Sequence, residues 1–209
     1  MKLYLSSLRV GNQPEKLVAM LGNNKNIAVI ANAMDYLNDP TERKQRVEQS
    51  INEMTGIGLD AEEVDLRIFF GKNKDLASCL NEYGGVWVRG GNAFVLRRAM
   101  RQSGFDKFIT EKVSDNNFVY GGYSAGVCVL TPDLHGTELV DDPSIVPDGY
   151  EKGIIWEGLK ILDYYFAPHY RSDHPESELV EKQVEYYEKN KMPYKALHDG
   201  EVIVGDWRR

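Results

Sequence analysis

The apolar run NIAVIANA, residues 26–33, constrains the fold more than any other segment. It has the length of a single strand, and apolar residues follow one another in it without the polar alternation of a half-exposed strand. A strand of this kind is buried on both faces, which is typical of a parallel sheet covered by helices. We therefore expect an α/β fold with a mostly parallel sheet and helices on both sides.

Strand-like and helix-like segments alternate along the rest of the chain, which supports this fold. No repeat, linker or low-complexity run interrupts residues 1–209, so we predict a single α/β domain. The segment EEVDLRIFFG is predicted to be a strand. The segment YKALHDGEVIVGDW is predicted to be a β-hairpin that turns at Asp199-Gly200.

The charge balance argues against a nucleic-acid partner, because the net charge is −7 and the pI about 5.2. Two short basic clusters are present. They comprise Arg97, Arg98 and Arg101, and the terminal pair Arg208-Arg209. We interpret the first cluster as the solvated face of a helix.

Hydropathy and cysteine content point to the cytoplasm. No apolar run approaches the 18 or so residues of a membrane helix. The first residues predict a strand and lack the longer apolar core of a signal peptide. Only two cysteines are present, Cys79 and Cys128, so no disulfide framework is expected.

Ser124 lies at the centre of a G-x-S-x-G sequence, Gly122 to Gly126, between a β-rich run and small apolar residues. A serine on a sharp strand-to-helix turn needs glycine on either side, because side chains there would clash with neighbouring backbone. Such a turn exposes the hydroxyl and directs the Ala125 N–H at a developing oxyanion. We interpret Ser124 as a nucleophile; the alternative is an incidental turn.

A nucleophilic serine needs a base, and the chain has four histidines. His169 follows the strand-like YYFAP, and active sites of open α/β sheets gather at the carboxyl ends of strands. His169 is therefore the favoured base. The other candidates are His174, His135 and His198.

A carboxylate commonly orients such an imidazole. Asp141 and Asp142 are the leading candidates, because they lie in the long irregular segment 131–155 between Ser124 and His169. Asp133 and Glu138 are further candidates. The alternative is that these residues form a solvated acidic loop.

A second glycine pair, Gly90-Gly91, ends the strand-like GVWV and precedes Asn92. The Gly91 N–H could be a second oxyanion donor; alternatively, the pair is only a tight turn before a helix that Asn92 caps. The spacing is not that of a dinucleotide-binding fingerprint.

Three segments, VWVRGGNAFVL, FVYGGYSAG and YYFAPHYRSDHPES, resemble in order and spacing the peptidase E group of serine peptidases. This family includes aspartyl dipeptidase and cyanophycinase. The resemblance implies a three-layer α/β/α fold similar to class I glutamine amidotransferases, with serine in place of their cysteine. It implies Ser124 as nucleophile, His169 as base and Gly91 and Ala125 as oxyanion donors, in a cytoplasmic enzyme that needs no metal.

The sequence departs from the family pattern at several positions. The family dipeptidases carry an aspartate soon after the serine, whereas the nearest match here, Asp141-Asp142, lies further along. A Ser–His dyad is therefore an alternative. Arg89 and Arg171 are also unusual, and either could bind a substrate carboxylate or pair with a local acid such as Asp173.

From these features we expect a serine peptidase that hydrolyses small peptides, dipeptides among them, through an acyl-enzyme and without a cofactor. The alternatives are an α/β-hydrolase esterase and a non-catalytic amidotransferase-like binding domain. We expect Cys128 to lie in the core. We expect no metal site, since the two histidines of HYRSDH are a weak signal. The expected partner is a small peptide, and a homodimer is compatible with the sequence.

Overall fold

The computed structural model describes residues 1–206, with only the backbone described at residues 73 and 74. The strands are β1 (Lys2–Ser6), β2 (Asn26–Ile30), β3 (Asp60–Glu63), β4 (Gly85–Val88), β5 (Val119–Tyr123), β6 (Tyr165–Ala167), β7 (Tyr194–Ala196) and β8 (Val202–Asp206). Six of them form one sheet in the order β3-β2-β4-β5-β1-β8, and β6 and β7 form a second, parallel sheet. The helices are α1 (Pro14–Met20), α2 (Pro40–Gly56), α3 (Asn73–Leu80), α4 (Ala93–Ser103), α5 (Phe105–Lys112), α6 (Ala125–Cys128) and α7 (Ser177–Lys189). None of these helices has the length and apolar character needed to cross a membrane.

Helices cover both faces of the main sheet, so the predicted three-layer α/β/α fold is confirmed. Ile27 and Val29 of β2 pack with residues of α1 and α2. Ala28 and Ile30, which point the other way, pack with residues of α3, α4 and α5. The first five strands are mutually parallel and β8 is antiparallel to β1. The carboxyl ends of the parallel strands therefore meet along one edge.

The predicted hairpin over residues 194–207 is wrong, although its turn exists. β7 pairs in parallel with β6, whereas β8 joins the main sheet beside β1. The turn that contains Asp199-Gly200 therefore connects two different sheets. Strand β6, helix α7 and strand β7 instead form a β-α-β unit. Because β6 and β7 are parallel, the segments that follow them begin at the same edge of this small sheet.

The prediction of a strand over EEVDLRIFFG is wrong in its second half. Strand β3 ends at Glu63, and residues Leu66–Phe69 form a 3-10 helix. The Asp65 side chain accepts a hydrogen bond from the Arg67 N–H and so begins this turn. A local cap of this kind competes with extended backbone, which explains the misassignment.

The first basic cluster is not the solvated face that the sequence predicts. Arg97 and Arg98 are buried, and only Arg101 of this group is exposed. Arg97 binds Asp106 and the Glu157 carbonyl. The second cluster, Arg208-Arg209, lies outside the described residues.

Arg98 holds the irregular segment that follows α6 against helix α4. Its side chain is fully buried, and it donates to the carbonyls of Gly153, Ile145 and Pro143 at 3.1, 3.2 and 2.8 Å. One guanidinium thus satisfies three carbonyl groups of a segment that has little regular structure of its own.

Substitution of Arg98 by methionine is expected to lower the free energy of unfolding by about 3 kcal/mol or more, because it removes three charge-assisted hydrogen bonds to partly buried carbonyls. Arg101→Met is the matched control on the same helix. Arg101 pairs with Glu151 at the surface, and such pairs contribute at most about 1 kcal/mol. Urea unfolding of both variants measures the difference, and equal losses would contradict this role for Arg98.

Candidate active site

Ser124 occupies the sharp corner between β5 and α6 in a conformation that residues other than glycine rarely adopt. Its φ and ψ are 49° and −120°. A Cβ atom at Gly122 or Gly126 would lie 2.8 or 2.2 Å from the carbonyl oxygen of Val88. The steric demand that the G-x-S-x-G pattern predicts is therefore present, since β4 packs against both sides of the corner. Strained backbone of this kind is concentrated at functional sites.

The two amides predicted as oxyanion donors are both unpaired among the described residues. Gly91 has φ 145°, and a Cβ there would lie 2.5 Å from the Ala33 carbonyl oxygen, so only glycine fits. Gly91 lines a cavity together with Ser124, whereas Ala125 is buried behind the serine. Helix α6 is a single turn, so its dipole adds little.

His169 follows β6 and is held by a carboxylate from the end of β7. Its Nδ1 lies 2.6 Å from Oδ1 of Asp199. The ring is buried, and its residue lines the same cavity as Ser124. With Nδ1 engaged by Asp199, Nε2 is the nitrogen left to serve a nucleophile. The Ser124 hydroxyl forms no hydrogen bond within the described part of the chain, which is common at catalytic sites without substrate.

Ser7, the residue after β1, hydrogen-bonds to both members of the His169–Asp199 pair. Its hydroxyl accepts a hydrogen bond from the His169 N–H at 2.8 Å and lies 3.0 Å from Oδ1 of Asp199. The Asp199 N–H in turn donates to the Ser172 hydroxyl. The ends of β1, β6 and β7 thus converge on the His169–Asp199 pair, and these contacts hold the backbone of His169 and of Asp199 and the Asp199 carboxylate.

The prediction that Asp141 or Asp142 orients His169 is wrong. Asp141 instead accepts a hydrogen bond from the Ala93 N–H at 2.8 Å, at the first turn of α4. Asp142 accepts from the N–H and the hydroxyl of Ser144. The segment that carries both aspartates runs back along α4, where Arg98 holds it, and His169 is hydrogen-bonded by Asp199 instead.

The remaining acidic candidates of this segment do not contact His169 either. Asp133 is engaged by His135 and by the Tyr165 hydroxyl. Glu138 lies in a short 3-10 helix, residues Thr137–Leu139, and is not among the residues that line the cavity.

The environments of Asp141 and His169 shift the pKa values of both side chains. Burial, reinforced by Glu176, raises the pKa of Asp141 to about 7. Burial also lowers the pKa of His169 below its ordinary value, and His174 adds to this while the Asp199 hydrogen bond opposes it. The imidazole of His169 therefore stays neutral, and able to accept a proton, to a lower pH than a free histidine.

Of the other histidines, only His174 reaches the cavity. Its ring is stacked on His169 with ring centres 3.7 Å apart and planes 7° apart. His135 is exposed and stacks on Trp156, and His198 lies near Tyr170. Neither of these two is among the residues that line the cavity.

The cavity has a volume of about 490 Å³ and a mostly charged and polar lining. Arg89 is buried in it and donates to the Tyr123 hydroxyl at 2.6 Å and to the Arg46 carbonyl. Arg9 and Arg46 also line it. Three arginines therefore line the cavity that Ser124 lines, and the guanidinium of one of them, Arg46, pairs with Glu42.

The structure separates the two arginines that the sequence suggested for substrate binding. Arg89 lies in the cavity, but Arg171 is exposed, and its guanidinium lies over the Tyr170 ring. Arg171 is not a lining residue, so the prediction that it binds substrate is not supported. Cys128 is buried, as expected, and burial raises the pKa of its thiol.

Only one group of side chains in the described residues could hold a metal ion, and the sequence did not predict it. The donor atoms of His169, His174 and Glu176 lie within 4.8 Å of one another. The two histidines of HYRSDH, whose spacing is a weak signal, therefore lie close together in space, on the short segment between β6 and α7.

Comparison with known proteins agrees with this arrangement. The family model described as "Peptidase family S51" matches residues 9–206. The chain belongs to peptidase family S51. A serine corner, a histidine after a strand and a glycine pair are thus found in a chain whose family is defined by peptidases, and the resemblance noted from the sequence is confirmed.

Individual relatives of this S51 chain are distant. It is 26% identical over 131 residues to "Uncharacterized peptidase Lin0382" of Listeria innocua, covering 63% of this chain and 60% of that protein. It is 29% identical over 129 residues to "Probable alpha-aspartyl dipeptidase" of Drosophila melanogaster, covering 62% of this chain and 52% of that protein. The matched region thus spans about half to three-fifths of these relatives.

A solved structure shares the whole fold. The crystal structure described as a "Putative Peptidase E Protein from Listeria monocytogenes EGD-e" superposes with a TM-score of 0.72 and 20% sequence identity. The match covers 99% of this S51 chain and 98% of that chain. The α/β/α architecture is therefore that of the peptidase E structures.

Proposed function

We propose that this S51 chain is a serine peptidase that hydrolyses small peptides through a covalent acyl-enzyme. One observation carries the proposal: Ser124, on a strained corner, lines the same cavity as His169, whose Nδ1 is held by Asp199 at 2.6 Å. Nucleophile, base and orienting carboxylate are the parts that acyl transfer requires. Membership of a peptidase family supports the choice of a peptide bond as the target.

In the first half of the reaction, the Ser124 hydroxyl attacks the peptide carbonyl while Nε2 of His169 takes its proton. Asp199 keeps the Nδ1 proton directed and stabilises the imidazolium that forms. The N–H groups of Gly91 and Ala125 are the proposed donors to the oxyanion, and one such donor is worth about 3 kcal/mol.

In the second half, His169 returns the proton to the leaving amine, which departs. Water then enters, His169 removes one of its protons, and the hydroxide attacks the ester carbon. Collapse of the second tetrahedral intermediate releases the acid and restores the Ser124 hydroxyl with the proton from His169.

The charges that line the cavity favour short peptides that carry a carboxylate. Arg9, Arg46 and Arg89 offer guanidinium groups, which bind carboxylates well, and Glu176 offers a carboxylate for an ammonium group. A volume of about 490 Å³ suits a small ligand. We therefore propose dipeptides with an acidic first residue as the preferred substrates, in line with the name of the Drosophila relative.

A dipeptide-library screen tests the proposed function. Purified protein is incubated with Asp-X, Glu-X and neutral-first-residue dipeptides, and released amino acids are quantified. We expect the acidic-first dipeptides to be cleaved fastest. Hydrolysis of p-nitrophenyl esters without cleavage of any peptide would instead indicate an esterase, and no turnover of either class would indicate a binding domain.

Replacement of Arg89 by methionine is expected to lower kcat/KM for Asp-X dipeptides about tenfold or more, because a charge-assisted hydrogen bond to the substrate contributes about 1.5–3 kcal/mol. Neutral-first dipeptides should be affected much less. Arg171→Met is the control, since Arg171 lies outside the cavity. An equal loss for acidic and neutral substrates would show that Arg89 acts structurally, through Tyr123, and does not select the substrate.

A further inference from the structure

The imidazole of His169 is covered on one face by a second imidazole. The planes of the His169 and His174 rings are nearly parallel, 7° apart, and the rings are stacked at a centre-to-centre distance of 3.7 Å. Asp199 contacts the edge of the His169 ring, and His174 contacts its face. The two contacts restrict different motions of the same ring.

His174 is itself held in place by the backbone. Its Nδ1 accepts a hydrogen bond from the Glu176 N–H at 3.2 Å, and the Ser177 N–H donates to the His174 carbonyl at 3.0 Å. Acceptance at Nδ1 assigns the ring proton of the neutral form to Nε2. His174 is thus a fixed, flat surface, well suited to hold a neighbouring ring.

A metal ion does not fit this arrangement, although the donor atoms of His169, His174 and Glu176 cluster. A histidine binds zinc in the plane of its ring, at about 2.0–2.1 Å from the nitrogen. An ion between two parallel rings stacked 3.7 Å apart would lie well out of both planes. In addition, Nδ1 of each histidine is already engaged, by Asp199 and by the Glu176 N–H.

We propose that His174 is a positioning residue for His169: the stacked ring holds the plane of the base so that Nε2 stays directed into the cavity that Ser124 lines. The inference rests on the proposed peptidase function. The inference goes beyond that function because the sequence offered His174 only as an alternative base.

The physical basis is the softness of the torsion that turns an imidazole. This torsion joins a tetrahedral to a trigonal carbon and has broad energy wells, so one hydrogen bond at Nδ1 leaves the ring free to rock. Rotation of the ring about this torsion moves Nε2 relative to Ser124. A second flat ring against the face of His169 removes this motion, and a small misplacement of a reacting group can cost about a hundredfold in rate.

The test compares two variants at position 174 with a matched control. We expect His174→Ala to lower kcat about tenfold or more, because the base is misplaced, with little change in KM. His174→Phe should recover most of kcat, because a flat ring is restored without a titratable nitrogen. His135→Ala removes a histidine that is also stacked, on Trp156, but outside the cavity, and should leave both constants unchanged.

Each outcome bears on the inference separately from the proposed function. An active wild type with an unchanged His174→Ala variant, or a His174→Phe variant as impaired as alanine, overturns the positioning role. So does activity that a chelator removes and Zn²⁺ restores. A wild type that cleaves no peptide overturns the proposed function and the role of His174 with it. If His174→Ala fails to fold by circular dichroism, His174→Leu replaces it.

Discussion

Substitution of Ser124 by alanine is expected to lower kcat for peptide hydrolysis about 10⁴-fold or more, because loss of the nucleophile removes the covalent route. The effect should appear in kcat and leave KM nearly unchanged, since the hydroxyl contributes to the reacting centre and the arginines to binding. The measurement is the initial rate on the best dipeptide of the screen. Ser144→Ala, at an exposed serine whose hydroxyl donates to Asp142, is the control.

A Ser124→Ala variant that is folded and retains the wild-type rate would refute the assignment of the nucleophile. The near-left-handed φ of 49° at this position also makes a fold check necessary, and thermal unfolding of the variant provides it. Alanine tolerates this conformation about as well as serine, so a large change in stability is not expected.

The second large effect is expected for Asp199→Asn, which should lower kcat about 10³- to 10⁴-fold because an amide can hold the imidazole in the wrong tautomer. Asn preserves the size of the side chain and its contact with Ser7. The measurement is again kcat on the same dipeptide. Asp141→Asn is the matched control and should retain most of the activity, since Asp141 binds the Ala93 N–H and not His169.

This pair of variants distinguishes the two assignments of the third catalytic group. Loss of activity in Asp141→Asn, with wild-type activity in Asp199→Asn, would favour the sequence-based assignment to the loop after the serine. A wild-type rate in both variants would indicate a Ser–His dyad. The structure supports neither outcome, because only Asp199 contacts Nδ1 of His169 among the described residues.

Those features of the site that depend on local sequence are predictable. The glycines around Ser124 and at Gly91 follow from close approach of backbone at two strand ends, which is a short-range demand. His169 follows from its place after a strand. The cap of α4 by Asn92 is likewise local, and the structure confirms it.

Asp199 could not be found in this way, because its role depends on which strands pair. A hairpin interpretation of residues 194–207 places Asp199 at an exposed turn tip. The actual parallel pairing of β7 with β6 places it beside His169 instead. A clue existed in the sequence: the helix-like segment between YYFAP and YKALH is long enough for a β-α-β crossover, which joins parallel strands.

The burial of Arg98 illustrates the same limit. The sequence LRRAMR places its arginines on one side of a helix, and most arginines in proteins are exposed to solvent. Which of them is buried depends on where the irregular segment after α6 lies, and that segment carries no periodic pattern. The three carbonyls that bind Arg98 come from residues 143–153, about fifty positions away.

The most direct test of the central claim, that Ser124 is a nucleophile activated by His169 and Asp199, is covalent labelling by a fluorophosphonate probe followed by peptide mapping. The account predicts one probe per folded chain, located on Ser124, and much slower labelling of His169→Ala and Asp199→Asn. An unlabelled wild-type protein, or a probe located on another residue, would contradict it.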